Sequence, residues 1–167
     1  MCFLQNLRRL MQQYGSQNIV YFDESGFAAE SYRPHGWALR GQKVFGSISG
    51  NNRKTTNLIM AQRKNEWLAP MLFKGSCHTE TVNQWLEHML LPELTEPSII
   101  VMDTAAFHNK AQMKTILEKA GHTMLPLPKY SPDFNPIEQS FATIKKRRMF
   151  VKDKSVENII MGNYYVK

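Results

Sequence analysis

Apolar residues recur in two rhythms along this 167-residue chain. The run "FLQNLRRLMQQYG" sets Leu4, Leu7, Met11 and Tyr14 on one helical stripe. It closes at Gly15, the residue type that best tolerates the turn after a helix, so the chain opens with a short amphipathic helix. "NIVYFDES" is a compact apolar strand that ends in acid. A turn-rich stretch, "GFAAESYRPHGWALRGQ", leads to "KVFGSIS", "TTNLIMAQ" and "WLAPMLFKG", three runs short and β-branched enough to form a meander of strands. Helical spacing returns in "TETVNQWLEHMLLP", with Val82, Trp85, Leu86 and Met89 on one face and Pro92 as the stop. "SIIVMDTA" is a second buried strand ending in acid. "NKAQMKTILEKAG" is a helix closed by Gly121, and "HTMLPLP" is a short strand. "SPDFNPIEQSFATIKKRR" begins the last predicted helix, with Asn135 as N-cap and Pro136 at the first helical position.

Strands in succession, then strands alternating with helices, predict a mixed α/β sheet covered by helices. Asp23 and Asp103 each close an apolar run, and ligands of open α/β sheets gather beyond the carboxyl ends of such strands. Neighbouring strands would bring these two carboxylates to one sheet edge. Glu24, beside Asp23, then falls on the opposite strand face, in a structural or solvated role.

Composition and charge narrow the function. With 43% hydrophobic and 21% charged residues the chain suits one globular domain with a real core. Twenty-one basic residues against 14 acidic ones give a net charge of +7, which favours a polyanionic partner. Cys2 and Cys77 form neither a metal-ligand spacing nor a disulfide framework, which points to a reducing compartment. No apolar run approaches the roughly 18 residues of a spanning helix, and the charged N-terminus is no signal peptide, so the expectation is a soluble, cytoplasmic protein with no membrane partner.

Two adjacent carboxylates repel, and one takes up a proton unless a cation shares the site. Mg2+ accepts one or two protein carboxylates and completes its octahedron with water and phosphate oxygens, which fits an Asp pair plus a third acid. Glu138 is available for that place. It lies three residues past the Asn135 cap, where it equally suits a capping box facing the positive helix end. Two ions roughly 3.5–4 Å apart clamp the attacking and leaving oxygens of an in-line phosphoryl displacement, and nucleic acid would then be the partner of the basic surface.

Context at each acid favours the metal. "YFDESGF", "VMDTAAFH" and "LPKYSPDFNPIEQSF" together resemble the catalytic core of the mariner superfamily of DDE transposases, most closely its bacterial insertion-sequence branch. Between Asp103 and Glu138 lie 34 residues, the spacing that superfamily favours, and "RPHGWALRGQK" looks like the segment after its first acid. The resemblance runs from about Asn18 to the chain end. It implies a ribonuclease-H-like fold with a mixed five-stranded sheet flanked by helices, residues 1–15 as a short N-terminal helix or linker remnant, and 16–167 as the catalytic domain. It further implies Asp23, Asp103 and Glu138 as the catalytic, metal-binding triad for Mg2+, with Mn2+ as substitute and two ions in the site. Two departures stand out. Thr104 follows the second Asp where family members often carry Asn. Only about twenty residues precede the first strand, too few for the family's helix-turn-helix region, so the chain reads as a catalytic domain, a separately translated second frame or a decayed copy.

Other residues carry two readings each. His108, where the family commonly has His, is either a capping or core histidine or a residue that positions substrate. Asn135, together with Asp133 and the prolines, fixes the turn that delivers Glu138, and it either caps the helix or supports the site. Lys145, Lys146 and Arg148 are either a solvated helix end, favourable to the dipole, or contacts to DNA phosphates. Trp37 and Arg40 read as packing and loop anchors in preference to base-stacking groups. The function expected is metal-dependent cleavage and strand transfer at the ends of an insertion element. DNA ends and target DNA would be partners, with a dimer formed on DNA, a full-length transposase or upstream-frame recognition domain beside it, and the bacterial nucleoid as its place when bound. The alternatives are a general nuclease of the same fold and a non-catalytic, DNA-binding or inhibitory fragment.

Overall fold

The computed structural model describes residues 2–28, 38–43, 45, 55–103, 110–129, 131–150 and 155–164. Five strands form one mixed sheet in the order β3-β2-β1-β4-β5. Helix α1 (Phe3–Tyr14) leads into β1 (Ile19–Ala28), which pairs antiparallel with β2 (Thr55–Arg63), itself antiparallel to β3 (Glu66–Lys74). Helix α2 (Thr79–Trp85) crosses to β4 (Ile99–Met102), parallel to β1, and α4 (Lys110–Lys119) crosses to β5 (Thr123–Pro126), parallel to β4. Two more helices, α5 (Ile137–Phe150) and α6 (Val156–Tyr164), complete the described chain.

The period-two alternation of β1 sorts its side chains between two cores. Val20 and Phe22 join Trp85, Leu86, Leu90, Met113 and Leu117 under α2 and α4. Phe27 joins Met60, Ile137, Phe141, Ile144, Ile159 and Ile160 under α5 and α6, and Tyr21 packs at the border between this core and the one beneath α1. The α1 stripe is Phe3, Leu7, Leu10, Met11 and Tyr14, packed on Ile99, Val101, Leu125 and Leu127. Leu4, expected on that stripe, is exposed, because the face that meets the sheet is turned toward Leu10. Gly15 ends α1 with a positive φ of 85°, its N–H donating to the Met11 carbonyl at 2.9 Å.

Trp85 is the anchor of the α2 face, with its ring 5.3 Å from that of Phe22 and its indole N–H donating to the Ala69 carbonyl at 2.7 Å. Ala69 adopts a left-handed φ of 48° at an irregularity in the β2–β3 pairing, and its own N–H is met by Glu93 Oε1 at 3.1 Å. A strained backbone unit is thus bonded on both sides by side chains of the α2 segment.

Three local expectations change. The helix starting at Thr79 does not stop at Pro92. It widens into a π turn over Leu86–Leu90 and runs on as α3 (Leu91–Glu93). Proline lacks an N–H and crowds the carbonyl four residues back, and the wider turn accommodates both. Strand β1 does not end at its acid. It continues five residues beyond Asp23, paired with β2 down to Ala28↔Thr55, because β2 supplies a partner that no local signal reveals. Helix α6 was not anticipated; Val156, Ile159 and Ile160 bury it against α5 and β3. The strand expected at 43–49 lies almost wholly outside the described residues.

Candidate active site beyond two parallel strands

The parallel pairing of β1 and β4 ends at Phe22↔Met102, and the next residue on each strand is an aspartate. Neighbouring strands run about 4.8 Å apart, so this register alone sets Asp23 beside Asp103. Asp23 is 8% exposed. Its Oδ1 accepts from the Glu24 N–H at 2.8 Å and its Oδ2 accepts from Asn135 Nδ2 at 3.0 Å. Burial pushes its carboxyl from the ordinary 3.8 up to about 7; the Glu24 N–H opposes that shift, and the negative charges of Glu138, Asp103 and Glu24 add to it.

Glu138 arrives from the far end of the sequence. A 3-10 turn over Pro132–Phe134 precedes α5, and the helix opens with the Glu138 N–H bonded to the Asn135 carbonyl at 3.2 Å. Ile137, Phe141 and Ile144 recur at helical spacing and bury one face of α5 on the sheet, which sets the rotation of the helix and leaves Glu138 exposed. A polar chain fixes the same helix. Trp67 Nε1 donates to Ser140 Oγ at 3.3 Å, Ser140 Oγ donates to Gln62 Oε1 at 2.7 Å, and Gln62 Nε2 donates to the Lys64 carbonyl at 2.7 Å. None of these three side chains was singled out from sequence, since the two bonds that join them span 73 and 78 positions.

The capping reading of this turn changes. Glu138 makes no side-chain hydrogen bond among the described residues, and the Asn135 side chain does not cap α5 but reaches Asp23, 112 positions earlier. Phe134 turns the other way, its ring 5.5 Å from that of Phe3 on α1. The turn is therefore held from both sides, by α1 outside and by Asp23 inside.

All the donors here are carboxylate oxygens, the type that hard divalent cations take, and the mutual charge pressure on Asp23 is what such a cation relieves. Among the described residues, no group of three His, Cys, Asp or Glu side chains stands ready at metal-holding distance. The acids sense one another's charge without forming a closed cage, as suits an ion that keeps waters and phosphate oxygens among its ligands.

Glu24 lies on the other face of β1, where Cys77 is pushed up to about 12 by burial and by its hydrogen bond to the Glu24 carboxylate. Lys145 Nζ and the Arg148 guanidinium sit 5.5 Å and 6.0 Å from the centre of the Phe27 ring, and Arg148 Nη1 donates to the Ala28 carbonyl at 2.8 Å. Two cations of the basic run are thus stationed at the end of β1, while Lys146 is exposed. Arg40 is exposed in a turn and Asp133 in the 3-10 turn, whereas His108, Thr104 and Trp37 lie outside the described residues. No described helix is long and apolar enough to cross a membrane.

Comparison with solved structures gives the same fold. The Mos1 Strand Transfer Complex superposes with a TM-score of 0.78 at 19% identity over 99% of this chain. The Mos1 transposase paired-end complex with left transposon end does so with a TM-score of 0.74 at 20% identity. The present chain spans 53% of the length of each of those two chains. The catalytic domain of Mos1 mariner transposase superposes at 0.63 with 18% identity, and there the match covers 78% of that chain. No curated protein sequence matches significantly. The five-stranded mixed sheet with flanking helices is the ribonuclease-H-like fold of these DDE transposases. The family model described as DDE superfamily endonuclease matches residues 18–159, and the chain belongs to that family.

Proposed function

We propose that the chain is the catalytic domain of a DNA transposase, of the bacterial insertion-sequence branch of the mariner superfamily. It would carry out divalent-metal-dependent strand cleavage and strand transfer at the ends of a mobile element. The observation that carries this reading is the placement of Asp23, a buried carboxyl next to Asp103 at the end of two parallel strands, whose ionisation is opposed first by burial and then by the charges of Glu138 and Asp103. Mos1 structures solved with Mg and with Mn support the choice of ion.

In this reading Asp23, Asp103 and Glu138 hold two Mg2+ or Mn2+ ions. Bound there, the ions would supply Lewis acidity and lower the pKa of a water so that, deprotonated, it could attack a phosphodiester near neutral pH. The protein's own part is placement. Strand register fixes the two aspartates, the buried stripe of α5 aims Glu138, and the Glu24 N–H keeps one lone pair of Asp23 engaged. Lys145 and Arg148, stationed at the end of β1, and the neighbouring Lys146 take the phosphates of the bound strand, and Phe27 steadies the first two. His108 positions substrate from the segment after β4. The domain runs over 16–167, with a recognition domain on another segment or chain and a dimer formed on DNA.

Three measurements test this. Glu138→Gln keeps the shape of a capping acceptor but removes the charge, so it should fold normally and lose Mg2+-dependent cleavage of a terminal-repeat duplex; retained cleavage returns Glu138 to a structural role. Joined products in the wild-type reaction separate a transposase from a general nuclease. Lys145→Ala with Lys146→Ala should flatten the slope of log affinity against log salt by about 0.9 per lost phosphate contact, and an unchanged slope would make them a solvated helix end.

A further inference from the structure

Asn135 is 4% exposed, and its side chain is bonded on one side only. Nδ2 donates to Asp23 Oδ2 at 3.0 Å, while Oδ1 is buried with no hydrogen-bond partner among the described residues. A buried acceptor left unpaired costs about 1–3 kcal/mol. A residue kept for stability alone would cap its own helix, and serine or aspartate would serve that purpose as well as asparagine. Asn135 instead forgoes the cap and spends its donor on a carboxylate 112 positions away.

The bond is directional. An amide has a donor end and an acceptor end, and a carboxylate oxygen can meet only the donor end. Together with the Glu24 N–H on Oδ1, the Asn135 amide engages each oxygen of Asp23 once, which fixes the plane of the carboxylate and leaves one lone pair per oxygen. The same turn is anchored outward by Phe134 on Phe3 and passes directly into the helix that carries Glu138. One residue therefore ties the first acid to the element that presents the third.

We propose that Asn135 is a positioning residue for divalent-cation binding: its amide presets the Asp23 carboxylate and couples it to the start of α5. Its Oδ1 is left without a partner beside that carboxylate among the described residues. This inference rests on the reading of Asp23 as a metal ligand.

The test uses the intact chain and Mn2+ or Mg2+ alone. Asn135→Ser supplies an excellent cap but cannot reach Asp23, so a cap or packing role predicts an unchanged metal dissociation constant. The positioning role predicts metal binding weaker by about 10–100-fold, as is usual when the partner of a metal ligand is lost. Titration calorimetry on the folded variant reads this directly. Asp23→Asn is the control: if wild type binds metal, Asp23→Asn does not and Asn135→Ser matches wild type, the inference is overturned while the metal reading stands. A wild type without any metal response would overturn both. Should Asn135→Ser not fold, the side-chain amide resonance of Asn135 in the wild type must shift with Mg2+ at the same half-saturation as calorimetry gives; an unmoved resonance sinks the proposal.

Discussion

At the start of β4, buried polar groups are matched to one another. The Ser98 N–H donates to His122 Nδ1 at 3.1 Å, Ser98 Oγ donates to the Glu96 carbonyl at 2.7 Å, and Arg63 Nη2 reaches Ser98 Oγ at 3.4 Å. Among the described residues there, Arg63 Nε alone is left buried without a partner. Beyond the other end of the same strand, Asp23 is equally buried but faces two further carboxylates and a half-satisfied amide. Both ends remove polar atoms from water. One end pairs nearly all of them internally, and the other crowds carboxyls so that Asp23 must hold a proton or share the site with a cation. A buried polar cluster is informative about function when its charges do not close among themselves.

The two ends should therefore respond to pH with opposite sign, with metal chelated. Between its ordinary 3.8 and about 7, Asp23 keeps in the folded chain a proton that the unfolded chain has released, so its contribution to stability falls as pH rises through that window. The largest expected effect is thus on Asp23→Asn, which should be more stable than wild type above pH 7 by on the order of a few kcal/mol and should lose the decline. The amide keeps an acceptor for the Glu24 N–H, and Asn135 can rotate to offer its unpartnered Oδ1 to the new donor. Urea unfolding in chelator at pH 5 and pH 8 measures it; an identical pH slope in both proteins would break the comparison at this end.

His122 runs the other way. Burial and then Arg63 hold its pKa below the ordinary 6.5, so the unfolded chain takes up the proton first and stability is lost as pH falls below 6.5. His122→Ala should cost about 1–3 kcal/mol at pH 7.5, because the Ser98 N–H is left buried and unpaired, and it should remove the acid-side loss. Thermal unfolding across pH 5–8 checks both. If the variant kept the wild-type acid-side slope, the internal balance assigned to this end would rest on other groups.

Much of the sheet was legible because its signals are local. The runs at 55–62, 67–75 and 122–128 coincide closely with β2, β3 and β5, since each is a short β-branched or apolar run between turn residues. Helix α6 was not legible: Val156, Ile159 and Ile160 form a stripe too short to distinguish from chance without the partner they cover. At the site, the acids and the helix under Glu138 could be named from the sequence. The destination of the Asn135 side chain could not, because the local rule that makes Asn a cap says nothing of a carboxylate 112 positions away.

The sequence by itself determined which residues carry charge and where most strands and helices form, because those properties depend on residues within a turn or two of each other, and it pointed to a family through motifs whose spacing can be counted along the chain. Tertiary structure alone decided that β1 runs past Asp23, that the β1–β4 register stops one residue short of both aspartates, and that Asn135 turns away from its own helix. Each of these is a choice between partners distant along the chain. Such choices are settled by the free energy of packing α5 and α1 onto the sheet, to which no short stretch contributes enough to show in its own pattern.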